Sequence, residues 1–499
     1  MSVFSDALSQ LIDSRKIKVY DMIRYLEIDR STMYQIIKGK RNPPTDSQIE
    51  KMADFMLLTP SEREDLLEQA KITRLGKNIY YQRKGVAEFM CGFPDPPEND
   101  MQESAEYSVT SDWQSLEIMN DVSEEEPITY LPTEFDVHRA ISGMLRKEAK
   151  KENGCIYLQL QPDENFLFDI LRSIIPEGNL KIVQILCLSN NDEMADEHNL
   201  LNIQYLNTII PMYVRSKADY TAYYYYDNVE SHFSHNNILP GMILTEKAVL
   251  LIPVDYSYGL LIREPKTLES MKNLFEDSRN NCRELFDVTK VNMMDFSQVQ
   301  NVNDTVTNKV SFHLMEREVC LFPFLTRDII DKYLHPDIPG RDMMAEGLAF
   351  MLQSNRDMLE SENMHIYFTQ EGLQYFADTG KFKELPDEIY IPLEPDDRVM
   401  ILKELKEYCL SGTYRMLSGS LKHLARNLRL CINGNMGYLL FNEKDSRVIY
   451  MFFTEPSLLF MFTDFIENVE EKDIASNDEA VEVIEKICRE MEKGEKSSS

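Results

Sequence analysis

The stretch Lys16–Pro43, KIKVYDMIRYLEIDRSTMYQIIKGKRNP, constrains this chain more than any other. Val19, Met22, Ile23 and Leu26 recur at helical spacing, and Met33, Ile36 and Ile37 do so again after a short break. Glu27, Ile28 and Asp29 form that break. Ile28 is the apolar plug of the turn, and the Asp29 carboxylate can accept a hydrogen bond from an orphan amide of the next helix. That helix runs from about Arg30 to Lys38 and stops at Gly39. Its outward positions, Arg30, Ser31, Thr32, Tyr34, Gln35 and Lys38, carry donors, acceptors and positive charge but no carboxylate. Before it, Phe4, Leu8, Leu11 and Ile12 form the face of a first helix. After it, Thr45 with Gln48, and Thr59 with Pro60 and Glu62, are capping-box signals for a fourth and a fifth.

Two short helices across a tight turn, followed by a basic loop, are the layout of a helix-turn-helix, which sets its second helix in the major groove of DNA. Over about the first 70 of 499 residues the chain resembles the Cro/repressor-type (XRE-like) helix-turn-helix family, most specifically in RSTMYQIIKGKRNP, Arg30–Pro43. The resemblance implies an all-α, five-helix, lambda-repressor-like head over residues 1–75. It implies base contacts from Arg30, Ser31, Tyr34 and Gln35, and phosphate contacts from Thr32, Lys38, Lys40, Arg41 and Asn42. The chain departs from the family where Val19 replaces a phosphate-touching Gln, Ile23 a small Ala, and Glu27 a turn Gly. Glu27 must then hold a left-handed backbone or use another turn. An Arg–Glu pair that commonly links the family's first and third helices is replaced by Ile12 and Ile37, which are expected to touch.

Charge supports a local nucleic-acid surface. The chain has 53 Lys plus Arg against 84 Asp plus Glu, net -31, so it should not adhere to nucleic acid as a whole. Arg30–Pro43 nonetheless holds four basic residues and no acidic one. Gly85–His138 holds 14 acidic residues and no Lys or Arg. The eight cysteines show no CxxC pair, which fits thiols in a reducing cytosol. The N-terminal residues read as an amphipathic helix rather than a signal peptide, so a cytoplasmic protein is expected. The apolar run Val448–Ile466 is interrupted by Glu455, Pro456 and Asp464 and is not a membrane span.

The remaining chain reads as a helical extension (76–90) that caps the head or mediates dimerisation, an acidic linker (91–133) containing Trp113, and a large α/β body. In the first lobe (134–285), strand-like runs at Cys155–Gln161, Lys181–Leu188 and Tyr220–Tyr226 alternate with helices. Three further short runs follow, at Gly241–Leu244, Ala248–Pro253 and Tyr258–Ile262, and then a closing helix from Pro265. After a second linker (286–308), a lobe over 309–491 ends in the same way: runs at Leu428–Ile432, Tyr438–Phe441 and Val448–Phe453, then a helix from Pro456. Glu264-Pro265 and Glu455-Pro456 share a frame, so internal duplication competes with convergent patterning. Residues 492–499 read as a disordered tail.

The two-lobe pattern resembles the phospholipase D-like fold that some bacterial regulators use as a non-catalytic sensor. None of the eight histidines is followed two residues later by Lys, so that family's His-x-Lys chemistry is missing. No P-loop, GxGxxG, HExxH or GxSxG motif occurs. His232 and His235 could share a metal but lie in a polar loop, and Tyr223–Tyr226 could line a pocket or pack in the core. The expected protein is a sequence-specific DNA-binding transcriptional regulator, not an enzyme, with no cofactor and no membrane association. Its expected partners are double-stranded DNA, a small-molecule or protein effector for the body, and a second copy as homodimer. The competing classes are an adaptor whose head binds protein, and an enzyme of unrecognised type fused to a helix-turn-helix.

Overall fold

The computed structural model describes residues 2–93, 126–162, 165–174, 180–189, 201–214, 218–229, 238–292, 298, 312–359, 364–382, 385, 387–442 and 447–498. Trp113, most of the acidic linker, His232 and His235 fall outside them. The described residues form two compact units, a head up to Gly85 and a body from Val86.

The head contains α1 (Val3–Ser14), α2 (Val19–Leu26), α3 (Arg30–Ile37), α4 (Asp46–Met56), α5 (Pro60–Leu75) and the start of α6 (Lys77–Gly92). Phe4, Leu8, Met22, Met33, Ile49 and Met52 close its core, with Ile28 packed against them. Ile12 is buried in that core and Ile37 packs on it, so the two expected partners share one apolar cluster. Glu27 takes the left-handed conformation (φ 55°, ψ 31°), and its N–H bonds the Ile23 carbonyl to end α2. The capping box at Thr59 and Glu62 is formed. The one expected at Thr45 is not: that residue precedes α4, but its side chain caps no amide.

The body holds two mixed sheets. The first is built from β1 (Ile128–Leu131), β2 (Cys155–Gln159), β3 (Lys181–Ser189), β4 (Asp219–Asp227), β5 (Gly241–Leu244), β6 (Val249–Ile252), β7 (Gly259–Ile262) and β8 (Arg283–Glu284). Its helices are α7 (Glu134–Ala149), α8 (Asn165–Ile174), α9 (Leu201–Val214) and α10 (Pro265–Asn280). The second sheet is built from β9 (Asp287–Asn292), β10 (Phe312–Met315), β11 (Met364–Thr369), β12 (Tyr414–Leu417), β13 (Arg429–Asn433), β14 (Met436–Asn442) and β15 (Arg447–Phe453). Its helices are α11 (Arg327–Tyr333), α12 (Arg341–Leu359), α13 (Gln370–Thr379), α14 (Pro395–Ser411), α15 (Pro456–Glu467) and α16 (Asn477–Ser498).

Strand order shows that the two lobes share a topology. Across the first sheet it is β8-β4-β3-β2-β5-β6-β7-β1, and across the second β12-β11-β10-β13-β14-β15-β9. In each lobe the three strands joined through helices are parallel to one another. The first of the three, β2 or β10, then pairs antiparallel with a three-stranded meander, which ends against the lobe's first strand. Even β8 has a counterpart: after α15, Ile474 makes an antiparallel bridge to Leu417 of β12.

Four expected boundaries change. Ile128–Leu131, read as linker, is an edge strand against β7. Asp287–Asn292, also read as linker, pairs with β15, so the second lobe begins there. The end of α6 belongs to the body rather than capping the head: Phe89 meets Phe462 at 5.9 Å and Phe93 meets Phe441 at 5.3 Å. The expected tail continues α16 as far as Ser498. Along β4 alternate tyrosines divide: Tyr224 is buried, Tyr223 and Tyr225 are partly buried against the cluster that holds Phe275 of α10, and Tyr226 is exposed.

Candidate nucleic-acid interface

The presentation of α3 follows from its ends. Asp29 caps it, its carboxylate accepting from the Thr32 amide at 2.9 Å. That backbone bond, the largest influence, holds the Asp29 carboxyl below its ordinary range. The Asp29 charge is therefore directed into the helix start, where the dipole favours it. Met33 and Ile36 are buried, which turns Ser31, Gln35 and Lys38 to the opposite side. Arg30, Ser31, Tyr34 and Gln35 are all exposed, as the base-reading expectation requires. The Arg30 guanidinium lies over the Tyr34 ring, 5.8 Å from its centroid.

The loop residues are arranged less simply than sequence spacing implied. Gly39 turns the chain with φ 64°, and Lys38, Lys40, Arg41 and Asn42 are exposed. Thr32 is half-buried. Arg41 does not extend away with the loop: its Nη1 donates to Thr32 Oγ1 at 2.9 Å, at the start of α3. Val19, where the family has a phosphate-touching Gln, packs against the core instead.

Cross-helix arginines hold the scaffold. Arg15 bonds both Glu62 oxygens at 2.7 and 2.6 Å and the Met56 and Leu57 carbonyls. The Glu62 carboxyl falls to about 2, first through its bond from the Thr59 amide and then through Arg15. Arg63 bridges Glu50 and Asp54, and Arg74 pairs with Asp46 at 2.6 Å. Spacing along the chain could not reveal these partners, which lie 9 to 47 residues apart.

In the body, one ionisable cluster sits on the α15 side of the second sheet. The rings of His313 and His365 stack 5.3 Å apart and 13° from parallel. His365 Nε2 lies 2.8 Å from Arg415 Nη2. Arg can only donate, so His365 accepts at Nε2 and its proton sits on Nδ1. Glu467 lies 3.8 Å from His313 Nε2. Burial, with Arg415 and His313 adding to it, pushes His365 down to about 4. Burial also lowers His313, against the pull of Glu467. Both Nδ1 atoms are buried, and neither has a hydrogen-bond partner among the described residues.

Comparison with known proteins assigns residues 7–68 to the Cro/C1-type helix-turn-helix DNA-binding domain. No curated protein matches the chain. Among solved structures, it is similar to TrmBL2, an archaeal chromatin protein described as showing a novel mode of DNA binding. That match has 15% identity and a TM-score of 0.22, and covers 53% of this chain and 100% of the other. It is also similar to phosphatidylserine synthase of Haemophilus influenzae Rd KW20 (12%, TM-score 0.22, 78% and 97% covered). Polyphosphate kinase of Porphyromonas gingivalis matches at 12%, TM-score 0.21, with 76% and 58% covered. At these scores the three structures bear on neither fold nor function of this chain.

Proposed function

We propose that this chain is a sequence-specific transcriptional regulator in which α3 reads the major groove and the two-lobed α/β body responds to a small-molecule or protein effector. The observation that carries it is the exposed face of α3 on a Cro/C1-type head, with polar and cationic side chains, no carboxylate, and the neighbouring Asp29 directed into the helix cap. Charge partition supports it. Residues 1–85 hold 15 Lys plus Arg against 12 Asp plus Glu, net +3, leaving 38 against 72, net -34, for the rest. Phosphate attraction is thus confined to the head, and the body repels the duplex. The body acts without catalysis in this scheme. Two chains engage two half-sites about one helical turn apart, as paired helix-turn-helix heads do. The experiment is enrichment of bound sequences from a random duplex pool by the full chain. A two-fold related motif is the expected result. A clean failure to enrich any sequence overturns the proposal in favour of a head that binds protein.

A further inference from the structure

The flanks of α3 carry a guanidinium each. With Met33 and Ile36 inward, a turn of 3.6 residues places Thr32 on one flank and Arg30 with Tyr34 on the other, and Ser31 and Gln35 between them. The Arg30 guanidinium rests on Tyr34, and the Arg41 guanidinium rests on Thr32. The Thr32 hydroxyl also bonds the Asp29 carboxylate. It can donate to the acid and accept from Arg41 at once, which fixes its rotor. The major groove is about 12 Å wide and a helix fills it, so flanks face the two sugar–phosphate walls and the middle faces base edges.

We propose, resting on the DNA-binding function above, that Thr32 is a positioning residue. By accepting from Arg41 it holds that guanidinium against the start of α3, where it meets one backbone of the groove. Thr32 touches no phosphate itself, and Arg41 acts at the groove wall beside α3 rather than beyond the loop. A long Arg side chain free in solution loses rotamer freedom when it docks, and a guanidinium already held loses less.

The test uses the full chain and the duplex that wild type enriches from a random pool, with affinity measured from 50 to 200 mM salt for Thr32→Val, Thr32→Ser, Arg41→Ala and Thr32→Val/Arg41→Ala. Valine keeps the shape and β-branching of threonine and leaves the Thr32 amide on Asp29. Thr32→Val and Arg41→Ala should each lower the salt slope by about one unit, so that the wild-type advantage shrinks roughly 3-fold across that range. The double variant should match Arg41→Ala alone, Thr32→Ser should restore wild-type behaviour, and the order of preference among duplex variants should not change. A merely structural role for Thr32 would not move the slope. Losses that multiply in the double variant, or an unchanged slope in Thr32→Val, overturn the positioning role and leave DNA binding intact. If no duplex is enriched, the DNA-binding function falls and this role falls with it.

Discussion

Glu27→Gly should stabilise the head, in contrast to the usual cost of glycine inside a helix. Glu27 sits at φ 55°, ψ 31°, and its N–H bonds the Ile23 carbonyl, a bond that glycine would keep. An L residue held in left-handed geometry costs roughly 1–2 kcal/mol. A carboxylate at a helix C-terminus adds about 0.3–1 kcal/mol of unfavourable dipole interaction at low salt. Against these, glycine loosens the unfolded chain by roughly 0.4–1 kcal/mol. The net gain is about 1 kcal/mol, or about 4–8 °C in Tm for a domain of this size. Glu27→Ala is the control: it removes the charge and keeps the strain. Glycine should exceed alanine by about 1 kcal/mol, reversing their ranking in a helix interior, where alanine leads by about the same amount. The assay is thermal and denaturant unfolding of residues 1–75, whose core is closed by side chains from Phe4 to Ala70. An alanine variant as stable as the glycine variant, or more so, would show that the left-handed turn carries no strain.

Ile37→Glu alone should destabilise the same fragment by about 3–5 kcal/mol, because it faces a carboxylate onto the apolar core that Ile12 also lines, and Ile12→Arg should recover much of that loss. A double-mutant cycle reads the coupling, and strictly additive losses would mean the two side chains do not meet. Gln35→Ala should change the order of preference among duplex variants by about 1–3 kcal/mol at one position, and an equal loss on every sequence removes Gln35 from base reading. The body should lose stability as pH falls from 6.5 towards 4, because the unfolded His365 takes up a proton in that window and the folded one does not until about 4. The full shift corresponds to about 3 kcal/mol, and partial solvent access reduces it to roughly 1–2 kcal/mol. Denaturant midpoints at pH 7.5 and 5 should therefore converge in His365→Gln relative to wild type, and an unchanged difference refutes the assignment.

Much of the architecture could be read locally. Runs such as Gly241–Leu244 and Val448–Phe453 are apolar, short and bounded by polar or turn residues, and they emerge as β5 and most of β15. The outward face of α3 was legible because helical periodicity fixes it once Met33 and Ile36 are inward. What failed depended on partners distant in sequence. Ile128–Leu131 pairs with Gly259–Ile262, and Asp287–Asn292 pairs with strand β15 more than 150 residues later. Each lies beside an acidic or Asn-rich segment, so composition argued for linker while the edge of a distant sheet supplied the hydrogen bonds. The Arg41–Thr32 contact was hidden for a related reason: the guanidinium folds back from a loop over the helix that precedes it.

The two lobes have one topology and two chemistries, and their closing helices show both. Glutamate is not among the preferred N-cap residues. Yet Glu264 and Glu455 each cap a helix whose next residue is proline, and each accepts from two backbone amides. The same disfavoured device thus stands at equivalent places of two sheets with matching strand order and sense. The two caps differ in their surroundings. Glu264 stays partly exposed, its bonds coming from Lys266 and Thr267 beside it. Glu455 is buried, and a buried carboxylate must have its lone pairs satisfied. Ser457 and Leu458 supply three of the bonds, and Tyr226 of the first lobe supplies another, so the second cap also joins the lobes. The strand faces differ as well. Tyr157 on β2 packs on Phe275 of α10, whereas His313 on β10, the counterpart of β2, faces Glu467 of α15 and stacks on His365. Among the described residues the stacked pair of histidines occurs only in the lobe that starts at Asp287, so the contribution of His365 to the acid response comes from that lobe.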